Sequence, residues 1–103
     1  MYRGTTPTIS FKIKTDIDLN DVAECWVTFK AKTGPKEKTF NISDLIIDPE
    51  NKTITASLSQ EETLFFNTGT IDIQIRLRTT DGLAYASDIK EIRMNKILKD
   101  GQI

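Results

Sequence analysis

The chain contains no histidine and a single cysteine. The first absence removes the most frequent general base and the most frequent metal ligand. The second rules out a disulfide within the chain and a cysteine cluster for zinc. An excess of one charge is missing too. Fourteen basic residues stand against fifteen acidic ones, for a net charge of −1 and an isoelectric point near 5.4. Nucleic-acid binders carry a basic excess gathered on one face, and none is visible here. No block of five or six like charges marks a tail. No apolar run nears the roughly 18 residues of a membrane span. The opening residues Met1 to Pro7 lack the apolar stretch of a signal peptide. These absences point away from an enzyme, a metalloprotein, a nucleic-acid binder and a membrane protein. No catalytic residue, metal ligand or cofactor is expected, and the cytoplasm is the expected compartment.

What is present points to strands. Isoleucine and threonine each occur 14 times in 103 residues. β-branched side chains fit pleated, half-buried surfaces. The length allows one domain, residues 1–103, with no room for a second core.

The clearest segment is Thr70 to Thr79. Ile71, Ile73, Ile75 and Leu77 alternate with Asp72, Gln74, Arg76 and Arg78. Strict period 2 predicts an antiparallel strand with one buried and one wet face. A second strand runs from about Ala23 to Lys32. It sets Ala23, Cys25, Val27, Phe29 and Ala31 on one face, and Trp26 on the other with Glu24, Thr28 and Lys30. A third, near Thr8 to Lys14, turns Ile9, Phe11 and Ile13 inward. Gly34-Pro35 signals a turn into a strand from Glu37 to Ile42, with Lys38, Phe40 and Ile42 on one side. Leu45 to Ile47 and Thr53 to Leu58 read as a hairpin about the turn Asp48 to Lys52.

Ser59-Gln60-Glu61-Glu62 is a capping box. It predicts one short helix over about 59–66, ended by Asn67-Thr68-Gly69. Asp81-Gly82 predicts a hairpin turn before a last strand from Leu83 to about Met94. The alternation of that strand slips near Ser87-Asp88, the mark of a bulge. Residues 95–103 form a tail, in which Ile97, Leu98 and Ile103 need somewhere to dock. Seven short strands with turns every 8–12 residues predict an immunoglobulin-like antiparallel β-sandwich. A small closed barrel is the alternative.

Few residues invite chemistry. Cys25 falls on an apolar face and reads as an inert core thiol. Asp16-Ile17-Asp18-Leu19-Asn20 resembles the start of a calcium loop. The required glycine and glutamate are replaced by Asp21 and Val27, so a polar turn is expected. Glu61 and Glu62 suit a helix N-terminus and do not face each other. Trp26 is the informative deviation. Either a loop or the Leu98/Ile103 tail covers it, or it is exposed for contact, as tryptophans at interface hot spots are. With Gln74, Arg76 and Arg78 it forms the candidate contact surface.

The chain also resembles a family of roughly 100-residue proteins encoded in prophages of Gram-positive bacteria, near tail and baseplate genes. The residues that carry the resemblance are Met1 to Thr8, Trp26 to Phe29, Leu58 to Leu64, Gly69 with Ile73 to Arg76, Asp81-Gly82, Ala86-Ser87 and Ile97 to Ile103. More remotely, Ser59 to Met94 is similar to the N-terminal immunoglobulin-like domain of phage baseplate upper proteins. That domain attaches a receptor-binding protein to the tail. The resemblance implies a non-enzymatic structural or accessory module. It would act by protein–protein contact with tail or baseplate components; separately, the exposed edges of a small sandwich invite pairing with further copies of itself. It would be found in the bacterial cytoplasm during phage expression and in the virion. Two other readings stand beside it. One is a carbohydrate-binding module for the host wall, with Trp26, Tyr2 and Tyr85 as its aromatics. The other is a small regulatory phage protein.

Overall fold

The computed structural model describes residues 1–13 and 16–103. The first strands are β1 (Thr8–Lys12), β2 (Val22–Ala31), β3 (Glu37–Phe40), β4 (Leu45–Asp48) and β5 (Thr53–Ser57). A helix, α1 (Gln60–Phe65), follows. Then come β6 (Gly69–Thr79), β7 (Ala84–Ala86) and β8 (Lys90–Met94). All pairings between these strands are antiparallel.

One sheet has the order β1-β5-β4. The other has β3-β2-β6, with β7 and β8 both on the far side of β6. This is the strand order of an immunoglobulin-like sandwich without its first strand. The chain passes from one sheet to the other at α1, which follows β5 and precedes β6. The expected sandwich, its short helix and its crossing point all stand.

One apolar core fills the space between the sheets. Phe11, Ile54 and Ala56 come from the first sheet; Val27, Phe29 and Ile73 come from the second. Phe29 meets Phe40 edge-on, with centroids 5.5 Å apart. Ile71, Ile73 and Ile75 are buried as period 2 requires. Ile9 and Ile13 pack on the rim of the core. Lys14, the expected end of the first strand, lies outside the described residues.

The predicted last strand is one strand interrupted. Arg76 pairs with Ala86 and Ile73 with Lys90, so one extra residue sits between β7 and β8. This is the expected bulge. Ser87 fills it from both sides. Its N–H donates to Ile75 O at 2.8 Å, and its hydroxyl accepts from Ile75 N–H at 3.0 Å.

Several expectations need correction. β3 ends at Phe40, and Ile42 opens a short 3-10 turn, Ile42–Asp44. Asp44 caps that turn by accepting from Asn41 N–H at 3.2 Å, which favours the turn over a longer strand. Ala23 is exposed at a register break between Val22 and Glu24, so the inner face of β2 begins at Cys25. The helix starts as expected, Ser59 Oγ accepting from Glu62 N–H at 3.1 Å. It ends because Phe66 turns extended, at φ −85°, and not through a left-handed residue at Asn67.

The two ends of the chain are joined. Tyr2 bridges Asn95 in parallel. The Arg3 guanidinium donates to Phe66 O at 2.9 Å and Leu64 O at 3.1 Å, and pairs with Asp100. It thereby satisfies carbonyls at the C-terminal end of α1, which have no partner within the helix. Gly4 has φ +72°, and a Cβ there would lie 3.1 Å from Ile97 Cδ1. Glycine thus lets the tail approach. Gln60 bonds both the N–H and the carbonyl of Ile103. The tail docks through these groups and Ile97, while Leu98 and Ile103 stay wholly exposed at 102% and 108%. It does not cover Trp26.

Candidate functional site

Pairing across the second sheet fixes the order of side chains on its wet face. Trp26 stands opposite Arg76, and Arg76 opposite Ala86. In the next row Glu24 stands opposite Arg78, and Arg78 opposite Ala84. On the other side of the first row Thr28 faces Gln74, then Lys30 faces Asp72. These rows follow from two long strands keeping one register from Glu24 to Ala31.

The face divides electrostatically. Toward the Asp72 end, charges pair. Lys32 Nζ lies 3.7 Å from Asp72 and bonds Glu91. The hydrogen bond to Glu91 is the main cause that raises the Lys32 ammonium above its ordinary value; desolvation opposes it, and the charges of Asp72 and Glu91 add to the rise. Toward the Arg78 end, charges do not pair. Among the described residues, neither Arg76 nor Arg78 has a carboxylate within ion-pair distance. Glu24, the carboxylate nearest in register, accepts instead from Cys25 N–H at 3.0 Å.

Trp26 is 43% exposed. The Arg76 guanidinium lies 5.5 Å from its ring centroid, within cation–π range. Beside them is a shallow cavity of about 160 Å³, lined by Trp26, Arg76, Arg78, Ala84 and Tyr85 among others. Ala84 puts a small side chain on its lining beside Arg78.

Of the four expected contact residues, the structure brings Trp26, Arg76 and Arg78 together. Gln74 shares the face but is half-buried, and its amide donates to Ser87 O at 2.9 Å. It fastens the bulge. Periodicity did not single out Ala84, Ala86 and Tyr85, because β7 is too short to show a pattern. Tyr85 shares the inward register of Leu77, yet is 40% exposed because β7 lies at the sheet edge.

Elsewhere the chemistry is structural. Cys25 is fully buried. Burial first, and Glu24 second, push its thiol up to about 11, so it holds its proton at neutral pH. Asp18 caps the 3-10 turn Leu19–Asp21 by accepting from Asn20 N–H at 3.0 Å. Ile17 of the same loop is buried, so alternate residues of the loop go to the core and to the cap. Among the described residues, no group of three or more acidic or cysteine side chains gathers as a metal site would need. Among them too, no helix is long and apolar enough to cross a membrane. Tyr2 sits beside Asn95, at the Gly69 end of β6. That is roughly 20 Å along the strand from Trp26, so the three candidate aromatics do not share a surface.

The chain matches no family model, no curated protein and no solved structure in comparisons with each.

Proposed function

We propose that this chain is a non-enzymatic structural or accessory module of a bacteriophage, associated with its tail or baseplate, and that it works by protein–protein contact. One observation carries the contact reading: an exposed Trp26 stacked with Arg76 beside a second unpaired guanidinium, Arg78. Tryptophan and arginine are the residue types that dominate interface hot spots. The phage setting rests on the sequence resemblance of the chain's segments to small prophage tail-region proteins. The sandwich fold agrees with that setting. The separation of Tyr2 from Trp26 and Tyr85 weighs against the glycan-binding reading.

Copurification tests the proposal. The chain is expected to travel with tail or baseplate proteins from infected or induced cells, and Trp26→Ala is expected to stay folded and lose that association. Absence from both virions and tail-assembly intermediates refutes the tail assignment. Binding on a glycan array, with no protein partner, replaces the contact reading with the carbohydrate one.

A further inference from the structure

The edge of the second sheet nearest the two unpaired arginines is β7, Ala84–Ala86. Among the described residues, no strand lies beyond it. The other edges of this sheet carry charges that discourage pairing: Glu37 and Lys38 on β3, and Lys90, Glu91 and Arg93 on β8. β7 carries none.

Its backbone is set for a further strand. Thr79 N–H donates to Leu83 O at 2.9 Å and Ser87 N–H to Ile75 O at 2.8 Å. Bonded pairs recur at every second residue of an antiparallel ladder. Tyr85 therefore bonds inward to Leu77, and the N–H and C=O of Ala84 and Ala86 turn toward the open edge. A strand that bonds Ala84 and Ala86 places its matching side chains on the same face as theirs. That face holds Arg78 and Arg76, one row in. The two arginines are two residues apart on β6, about 7 Å. Small alanines leave the space between them and the incoming strand open. Apolar surface lies at this edge as well: Leu83 and Tyr85 are both exposed.

We infer that β7 is a docking edge for an extended acidic segment of a partner protein. The segment adds as a strand, with carboxylates at alternate positions reaching Arg76 and Arg78 and apolar residues between them covering Tyr85. Charge complementarity selects this occupant, since among the described residues neither guanidinium has a carboxylate within ion-pair distance. Main-chain bonds give affinity and alternate side chains give specificity in this mode of recognition. The inference rests on the contact reading above and names its partner's chemistry.

Trp26 is the sole tryptophan, so its fluorescence reports on the site directly. The probe is the synthetic peptide acetyl-Thr-Glu-Val-Glu-Val-Thr-amide, with a control carrying Gln for Glu. The Glu peptide is expected to shift the emission and saturate, with affinity falling as salt rises. The Gln peptide, and the Arg76→Gln/Arg78→Gln double variant with the Glu peptide, are expected to bind several-fold to about tenfold more weakly, from the loss of two ion pairs. Ala86→Pro removes an outward N–H without changing charge, a substitution that edge strands accept. It is expected to abolish binding while circular dichroism stays native. If Ala86→Pro unfolds the chain, N-methylation of alternate peptide amides tests the same bonds from the other side. Equal binding of the Glu and Gln peptides overturns the inference, as does no binding at millimolar peptide. So does binding unchanged by both edge blocks. Association of the chain with itself through β7, unaffected by Arg76→Gln/Arg78→Gln, replaces the acidic partner with a second copy. The tail assignment is tested separately: virion association unaffected by the double variant leaves that assignment standing while the acidic strand falls.

Discussion

Cys25 offers a test of the core that needs no partner. Its thiol is fully buried on the inner face of β2, and burial pushes it from 9.0 up to about 11. In the unfolded chain the thiol returns to its ordinary range. Between the two values the unfolded state releases a proton that the folded state keeps. Stability from this group is therefore complete below about pH 9 and is lost as pH rises toward 11. At about 1.4 kcal/mol per pH unit the loss is about 1.4 kcal/mol at pH 10, and about 2 kcal/mol or more near pH 11. Cys25→Ala removes the titration and leaves a small cavity costing about 1 kcal/mol at every pH. All other groups are common to the two proteins and cancel in the comparison. Urea unfolding followed by circular dichroism, in reductant, at pH 8, 9, 10 and 10.5, reads the difference. The wild type is expected to start ahead of Cys25→Ala and to lose that lead by pH 10. A stability gap that stays constant from pH 8 to 10.5 refutes the reasoning. Native thiol that reacts with Ellman's reagent at pH 8 as fast as unfolded chain refutes it too.

Further outcomes are expected. Phe29→Ala, which empties a buried site and breaks the edge-on pair with Phe40, costs about 3–5 kcal/mol in denaturant unfolding. Trp26→Ala on the opposite face of the same strand costs about 1–2 kcal/mol, so the two neighbours separate core from surface. Ser59→Ala removes the capping hydroxyl of α1 and lowers stability by about 1 kcal/mol, read as a lower melting temperature. Arg3→Met leaves the carbonyls of Leu64 and Phe66 without their donor. It is expected to speed amide exchange in the tail before it lowers global stability by about 1–2 kcal/mol. Asp48 and Asp81 are both held below the ordinary carboxylate value, Asp48 by Asn51 and Asp81 by the Thr79 hydroxyl. Their contribution is present above about pH 4 and fades as pH falls through the lowered values. Asn51→Ala and Thr79→Val are each expected to flatten the acid limb of a pH–stability curve.

The strands were legible because burial has a period. Ile71, Ile73, Ile75 and Leu77 could only face a core, and Asp72, Gln74, Arg76 and Arg78 could only face water. The capping box announced α1 through local hydrogen bonds between Ser59 and Glu62. The bulge showed as a lost beat at Ser87. Such features depend on neighbours in the chain, so the chain displays them. The end of β3 was less legible, because a capped turn at Asn41–Asp44 competed with the strand.

The site was half legible. Period 2 put Trp26, Gln74, Arg76 and Arg78 on one face, but only register could sort them. Trp26 meets Arg76 because β2 and β6 run antiparallel in that alignment. Gln74 leaves the group because the bulge offers Ser87 O. The open edge at β7, and the alanines beside the arginines, come from a pairing that runs from Arg78↔Ala84 to Arg76↔Ala86. The joining of Arg3 to Asp100 spans nearly the whole chain. Sequence by itself determined which face of the two longest strands is wet, where the helix α1 begins, and that the lone thiol is apolar in setting. Tertiary structure decided which wet side chains are neighbours and which charges find partners. The physical reason is range: alternation and caps act over a few residues, whereas register and charge pairing are set between strands distant in the chain.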